Sequence, residues 1–376
     1  QRLPWNISLE GIGVDPGWDP LQFVIDEAKA RGFEVHAWWN VYLIYNGTTL
    51  PPVTNPLHII RRHPELVKYY EPSNSWFLDP GQPGTREYLV NLGMELVRNY
   101  DIDAIHFDYI RYPNPDFGDT ATYQQYGQGV NYDDWRRNNI TQFVYAIYDS
   151  IQAVKPNVKV GSAPIGIYKN IPGASGWQGY SSVYQDSRRW MLARKHDYLS
   201  PQLYWDIATN PRFTPLVEDW VLNRAGRHVY PGIAVYRMAP SDGNWAASEI
   251  IAQIDTTRSF NAQGQTYFRT QSFTDNYKSI TSLVKANQYK YPANIPPMPW
   301  KDNIKPNSPE NLTLTTSDSL TFTLTWEKPA PAADGDTAIY FNVYMDTISP
   351  VNIDDIKNVI HFRVVNDTSV SYTFTE

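Results

Sequence analysis

The segment Ala104-Ile-His-Phe-Asp-Tyr-Ile-Arg-Tyr-Pro113 gathers residues able to do chemistry more densely than any other stretch of the chain. Read as a strand with period two, it puts Ala104, His106 and Asp108 on one face and Ile105 and Phe107 on the other. The apolar pair suits a side covered by helices, so His106 and Asp108 point the opposite way. A carboxylate in a strand disfavours folding unless it is paired or used. Asp108, at the strand's end, is therefore the first candidate for catalysis. Tyr109 and Arg111 follow at loop distance, and the plainer alternative is an Asp108–Arg111 loop salt bridge. Two more segments fit the pattern. In Phe33–Asn40, His36, Trp38 and Asn40 share a face opposite Val35, Ala37 and Trp39. In Tyr198–Tyr204, Gln202 and Tyr204 share a face, with Trp205 and Asp206 just beyond. Trp38, Tyr204 and Trp205 offer planes for a sugar ring, and Asn40, Gln202 and Tyr204 offer hydroxyl-binding groups. Core packing is the alternative for each Trp, and a hydrogen-bonded interior place is the alternative for His36 and His106.

Glycoside hydrolysis usually requires two carboxylates flanking the scissile bond, one protonated and one ionised. Asp108 supplies one. Asp15, Asp116, Asp206 and Asp242 lie in the right class of loop for the other, and Asp206 is the choice among them. Asp79, in Leu78-Asp-Pro-Gly81, reads instead as a turn or helix-cap residue. His36, His106 and Asp108 could also form a metal ligand set, but the strong spacings His-x-His and His-Glu-x-x-His are absent. No metal or cofactor is therefore expected. A serine nucleophile lacks its Gly-x-Ser-x-Gly elbow, and a chain without cysteine can use neither thiolates nor disulfides.

The elements that would carry these groups alternate. Helical periodicity spans Pro20–Arg31, with Asp19 as N-cap and Gly32 as stop. It returns over Thr85–Asn99, Asp134–Val154, Val183–Lys195, Thr214–Ala225, Ala246–Phe260 and Asn276–Asn287. Short strands follow the first six of these helices, at Phe33–Asn40, Asp103–Asp108, Val158–Ala163, Tyr198–Tyr204, His228–Ala234 and Gln265–Thr270. Such alternation means a parallel sheet with helical crossovers. No Gly-rich phosphate turn follows any strand. The expected fold is an α/β (β/α)8 barrel of TIM type, its first strand-helix units lying outside this sequence. In such a barrel the working residues sit at the C-terminal strand ends. After residues 1–290, prolines mark a linker over 291–308. Period-two strands over 309–376, among them Leu312–Thr315, Leu320–Trp326, Phe341–Tyr344 and Ser371–Phe374, then predict a small all-β sandwich like a fibronectin type III module, cut short at its end.

Composition narrows the partner. The chain has 376 residues, a net charge of −7, and 13 Trp, 27 Tyr and 29 Pro. That balance argues against nucleic acid and suits a ligand with flat, weakly polar faces. No apolar run reaches the ~18 residues of a membrane span.

Six ordered motifs now make a resemblance. Asp15-Pro-Gly-Trp-Asp-Pro-Leu21, His36-Ala-Trp-Trp-Asn40, Leu78-Asp-Pro-Gly81, His106-Phe-Asp-Tyr-Ile-Arg-Tyr-Pro113, Ser200-Pro-Gln-Leu-Tyr-Trp205 and Tyr267-Phe-Arg269 together resemble the bacterial glycosyl hydrolase-like family ten, over about residues 1–290. The resemblance implies a (β/α)8 barrel in exported, often lipid-anchored proteins that hydrolyse glycans, one member cleaving peptidoglycan strands stripped of their stem peptides. It implies that Asp108, with Tyr109 and Arg111, lies on the family's fourth strand. His36, Trp38 and Asn40 fall on the third and Gln202, Tyr204 and Trp205 on the sixth. The family pattern normally starts with a strand, a helix and a second strand before the Pro4-Trp5 segment. Gln271 stands where an acid would have been welcome. The expectation is a secreted, periplasmic or cell-envelope glycoside hydrolase with Asp108 and Asp206 catalytic. A lipid anchor upstream fits that setting, and the oligomeric state stays open. The alternatives are a non-catalytic glycan-binding scaffold and a metal-dependent carbohydrate hydrolase.

Overall fold

The computed structural model describes residues 17–50, 58–318, 320–365 and 368–373. The chain divides into two compact units, one holding His36–Val284 and the other combining Phe23–Val35 with Lys285–Glu376. The strands of the first unit are β1 (His36–Asn40), β2 (Leu43–Asn46), β3 (Val67–Tyr70), β4 (Ser75–Leu78), β5 (Ala104–Asp108), β6 (Lys159–Ser162), β7 (Tyr198–Leu199), β8 (His228–Val229), β9 (Gly232–Ile233) and β10 (Thr266–Tyr267).

The unit is mixed α/β around a parallel sheet. Five strands pair in the order β1-β5-β6-β7-β8, and β9 pairs in parallel with β10. Gln202 bridges to Ile165 on one side and Gly232 on the other, which carries the parallel run toward β9. One row of register crosses the sheet as Trp38, His106, Gly161, Tyr198 and His228. A Cβ on Gly161 would lie inside the Tyr198 ring, so only glycine lets that ring reach across β6 to His106. The next row outward packs as an aromatic cluster, as the period-two reading predicts. Trp39 meets Phe107 at 5.8 Å and Phe143, from the helix Tyr132–Val154, at 6.4 Å.

That long helix begins where Asn131 caps it, its side-chain oxygen accepting from the backbone N–H groups of Asp133 and Asp134. The structure corrects several expected elements. The helix over Val183–Lys195 is two short ones, Gly179–Ser182 and Ser187–Leu192. Between them Tyr184 is left-handed at φ 57°, and the fully buried Gln185 spends its amide on Ile110 and Ile165 instead of continuing a helix. The strand over Tyr198–Tyr204 keeps its ladder only to Leu199, and the strand over His228–Ala234 splits into β8 and β9. Pro201 and Pro231 sit at these breaks, where a residue without an N–H cannot donate to the sheet. The antiparallel sheet β2-β4-β3 was not foreseen, because its four-residue strands are too short to show a period.

The helix Pro20–Ala30 starts at Asp19, whose carboxylate accepts from the backbone of Leu21 and Gln22. It ends before Gly32, left-handed at φ 74°. Phe23–Val35 nevertheless groups with the C-terminal unit, not with the sheet it precedes. Gly32 allows the close approach, since a Cβ there would lie 3.1 Å from that of Arg363. In this unit β11 (Glu310–Thr316), β12 (Thr321–Glu327) and β15 (Ser369–Thr373) form one antiparallel sheet, and β13 (Tyr340–Tyr344) and β14 (Val359–Val365) form another. Trp326, Phe341 and Val343 make a shared apolar cluster with Leu324, Ile360, Val364 and Val370.

Candidate active site

The site lies where β1 and β5 end side by side, with Asn40 in register with Asp108. Asp108 is buried and accepts three N–H donors. Trp38 Nε1 lies 3.3 Å from Oδ2, Gln202 Nε2 lies 3.2 Å from Oδ1, and the backbone N of Tyr109 lies 2.7 Å from Oδ1. The donors come from three elements, so the carboxylate's orientation is fixed by the sheet and not by its own rotamer alone. Tyr109 holds its place in the left-handed region, at φ 47°. A non-glycine residue there costs about 1–3 kcal/mol and persists where the surroundings force it.

Around this carboxylate the surfaces are aromatic. Trp38 is 59% exposed although its indole N–H is tied down, which leaves a ring available beside the carboxylate. Tyr204 stacks on Phe268 at 6.0 Å and meets Tyr236 edge-on at 6.1 Å. Burial, then the negative charge of Asp108, then Tyr236, push the Tyr204 phenol well up, so it stays a proton-bearing donor. Arg111 is 7% exposed, its guanidinium 4.5 Å from the Tyr109 ring and 5.4 Å from that of Trp177. Burial lowers its pKa, opposed by the charges of Asp108 and Tyr109. The alternative reading of an Asp108–Arg111 loop salt bridge is not realised among the described residues, whose ion pairs include none between the two. Two buried polar atoms of the site, Asn40 Oδ1 and Arg111 Nη1, have no partner.

Other expected site residues lie elsewhere. His36 Nδ1 and His106 Nδ1 both meet the hydroxyl of Tyr198, at 2.8 Å and 2.9 Å. His106 stacks on that ring, its pKa pulled down to about 3 by burial first and then by the charges of His36 and His196. His106 lies partly buried in the row beneath the site, His36 is exposed at the start of β1, and among the described residues neither assembles with Asp108 as a ligand set. Trp205 packs over the bare Cα of Gly166, and its carbonyl accepts from Gln253. Asp206 is a loop staple. Its Oδ1 accepts from the backbone of Ala208 and Thr209 and its Oδ2 from the Thr209 hydroxyl. Burial raises this carboxyl, but those bonds outweigh it and hold it below the usual range. Asp79 is fully buried in a turn, accepting from Gly81 and Thr122, while Gln82 caps the following helix. Asp15 falls outside the described residues.

Tyr236, Phe268 and Trp177 escaped the sequence reading. Tyr236 and Phe268 each closely follow a strand, β9 and β10, so the rule that loops after strands carry the site would have found them. Trp177 sits in a long excursion with no such signal.

Comparison with known proteins adds family. The family model described as Glycosyl hydrolase-like 10 matches residues 3–247. The glycosyl hydrolase YngK of Bacillus subtilis is 37% identical over 336 residues, covering 84% of this chain and 65% of YngK. The glycosyl hydrolase DigH of Escherichia coli K12 is 33% identical over 258 residues, 63% of this chain and 58% of DigH. The chain thus spans less than two thirds of the length of either relative. Among solved structures, the PgaB (BpsB) glycoside hydrolase domain from Bordetella bronchiseptica is 15% identical at a TM-score of 0.49, over 70% of this chain and 78% of that one.

Proposed function

This chain belongs to the glycosyl hydrolase-like 10 family, and we propose that it is a glycoside hydrolase in which Asp108 is a catalytic carboxylate. The observation that carries the reading is Asp108 itself. It stands at the C-terminal end of a parallel strand, held by three N–H donors beside an exposed indole. A carboxyl group whose oxygens accept three N–H bonds is arranged to act as an anion, the nucleophile or base of the pair, and not to hand over a proton. The indole of Trp38 supplies a stacking face for the sugar, and Asn40 Oδ1 supplies an acceptor for one of its hydroxyls. Tyr204, kept protonated, can donate to a sugar hydroxyl or turn its oxygen lone pair toward the positive charge that develops at the ring.

Asp206 suits the acid role poorly. A general acid gains from a raised pKa, and the Thr209 and Ala208 hydrogen bonds act the other way. The parallel sheet is read as part of a (β/α)8 barrel, and the C-terminal unit as a fibronectin type III-like module. The proposed substrate is an O-linked glycan, peptide-free peptidoglycan strands first among the candidates. The proposed setting is secreted, periplasmic or cell-envelope, with a lipid anchor upstream.

The test incubates wild type and Asp108→Asn with peptide-free peptidoglycan strands and a polysaccharide panel and reads products by mass spectrometry. Cleavage by wild type with a ~10³-fold or greater loss in the variant is the expected result for a catalytic group. Undiminished cleavage by the variant would remove Asp108 from the chemistry. One observation favours a second reading, a glycan-binding scaffold: Asp206, the acid expected to partner Asp108, spends both oxygens on its own loop. Glycan binding without cleavage of any substrate would select it.

A further inference from the structure

Four arginines of this unit are almost fully buried, Arg111, Arg136, Arg137 and Arg227. Arg137 pairs with Asp134 and Arg227 with Asp197, and the sharpest contrast is between Arg136 and Arg111. Arg136, 2% exposed, pairs with Asp119 and also donates to the carbonyl of Pro115 and the hydroxyls of Tyr132 and Tyr184. Arg111, 7% exposed, donates no hydrogen bond and makes no ion pair, and its enclosed Nη1 is an orphan. A buried guanidinium without an acceptor is strongly unfavourable, and Arg136 shows that this chain satisfies one where structure alone is at stake. The charge of Asp108 offsets part of that cost, but Asp108 accepts its hydrogen bonds from Trp38, Gln202 and Tyr109 and none from Arg111.

From this contrast we infer that Arg111 is a specificity residue that takes a carboxylate carried by the substrate sugar, on a uronic acid or a lactyl ether. The inference rests on the proposed glycosidase reading for the place of the sugar. The chemistry fits on two counts. A guanidinium presents parallel N–H donors that match the two oxygens of a carboxylate. The rings of Tyr109 and Trp177 flank it, restricting it to one plane and excluding water from a bound pair.

The experiment titrates the full chain, by the NMR shifts of its indole N–H groups, with D-glucuronic acid and N-acetylmuramic acid, each against its own methyl ester. Monosaccharides offer no glycosidic bond, so the readout stands whether or not the protein proves to be a glycosidase. At least one acid is expected to bind about tenfold or more tightly than its ester, the scale of a hydrogen bond to a charged group. The acid that does so identifies the source of the carboxylate. Arg111→Gln should abolish the preference, bringing acid and ester to the same affinity. Should that variant fail to fold by circular dichroism, Arg111→Lys, which keeps the charge and loses the fork, should reduce it. Equal affinity for acid and ester in both pairs would overturn the assignment. So would a preference that survives intact in the variants.

Discussion

Two polar layers at one sheet are in opposite states. In the lower layer His36 and His106 share the Tyr198 hydroxyl, and His228 Nδ1 meets the hydroxyl of Tyr230 at 2.9 Å. In the upper layer Asp108 is saturated with donors, but Asn40 Oδ1 and Arg111 Nη1 are left unpartnered. Buried polar groups in folded proteins are nearly always hydrogen-bonded, so exceptions call for a reason. In the lower layer each of these hydroxyls is taken by an imidazole of the chain itself, which makes it a floor for the site. The upper layer is incomplete in the way a binding site is incomplete before its ligand arrives. Polarity alone does not separate the two, whereas satisfaction does.

If that distinction is correct, substitutions above should cost activity and substitutions below should cost stability. The largest effect is the ~10³-fold or greater loss of turnover expected of Asp108→Asn, with its unfolding midpoint close to that of wild type. A variant that instead melted early would make Asp108 a member of the floor.

The period-two reading carries a good part of this. It placed Asp108 and Asn40 at strand ends and Trp39 and Phe107 on the helix side, because strand faces follow from local sequence. It could not decide what each inward residue touches. Trp38 and Asp108 are 70 residues apart, and His106 and Tyr198 are 92 apart. From sequence His106 and Asp108 look like one functional pair, yet a tyrosine two strands away claims the histidine for the floor. Asp206 failed for a local reason that was visible in principle. An aspartate three residues before a threonine in a loop tends to bond its own backbone. Pro201 and Pro231 likewise announced the strand breaks that the apolar pattern concealed.

Acid should reveal the floor next. His106 and the fully buried His196 have pKa values lowered, mainly by burial, to about 3 and about 4, against an ordinary 6.5. Unfolding lets each take up a proton near its ordinary value, while the fold refuses it. Their contribution is therefore complete above pH 6.5 and is lost progressively as the pH falls toward those lower values. The slope is about 1.4 kcal/mol per pH unit for a fully buried imidazole. Urea midpoints followed from neutral pH down to about 4 should show it, and His196→Asn should flatten it. A flat profile in wild type would mean that the layer already admits protons or water.

Gln202→Leu removes one N–H donor from Asp108 and leaves the other two. Turnover should fall about 10–100-fold, the worth of a hydrogen bond to a charged group, with little change in KM because the amide faces the carboxylate. A change confined to KM would move Gln202 from orienting Asp108 to holding the sugar.

The smallest effect decides the comparison. Tyr198→Phe keeps the ring over Gly161 and its stacking on His106, and removes only the hydroxyl that two imidazoles share. Leaving those nitrogens short of a partner should cost about 1–3 kcal/mol, or about 2–4 °C of melting temperature per kcal/mol in a unit of this size. Turnover measured well below the melting range should be that of wild type. If it fell in step with Gln202→Leu instead, His106 would be coupled to Asp108 through the strand that carries both. The two layers would then be a single catalytic assembly.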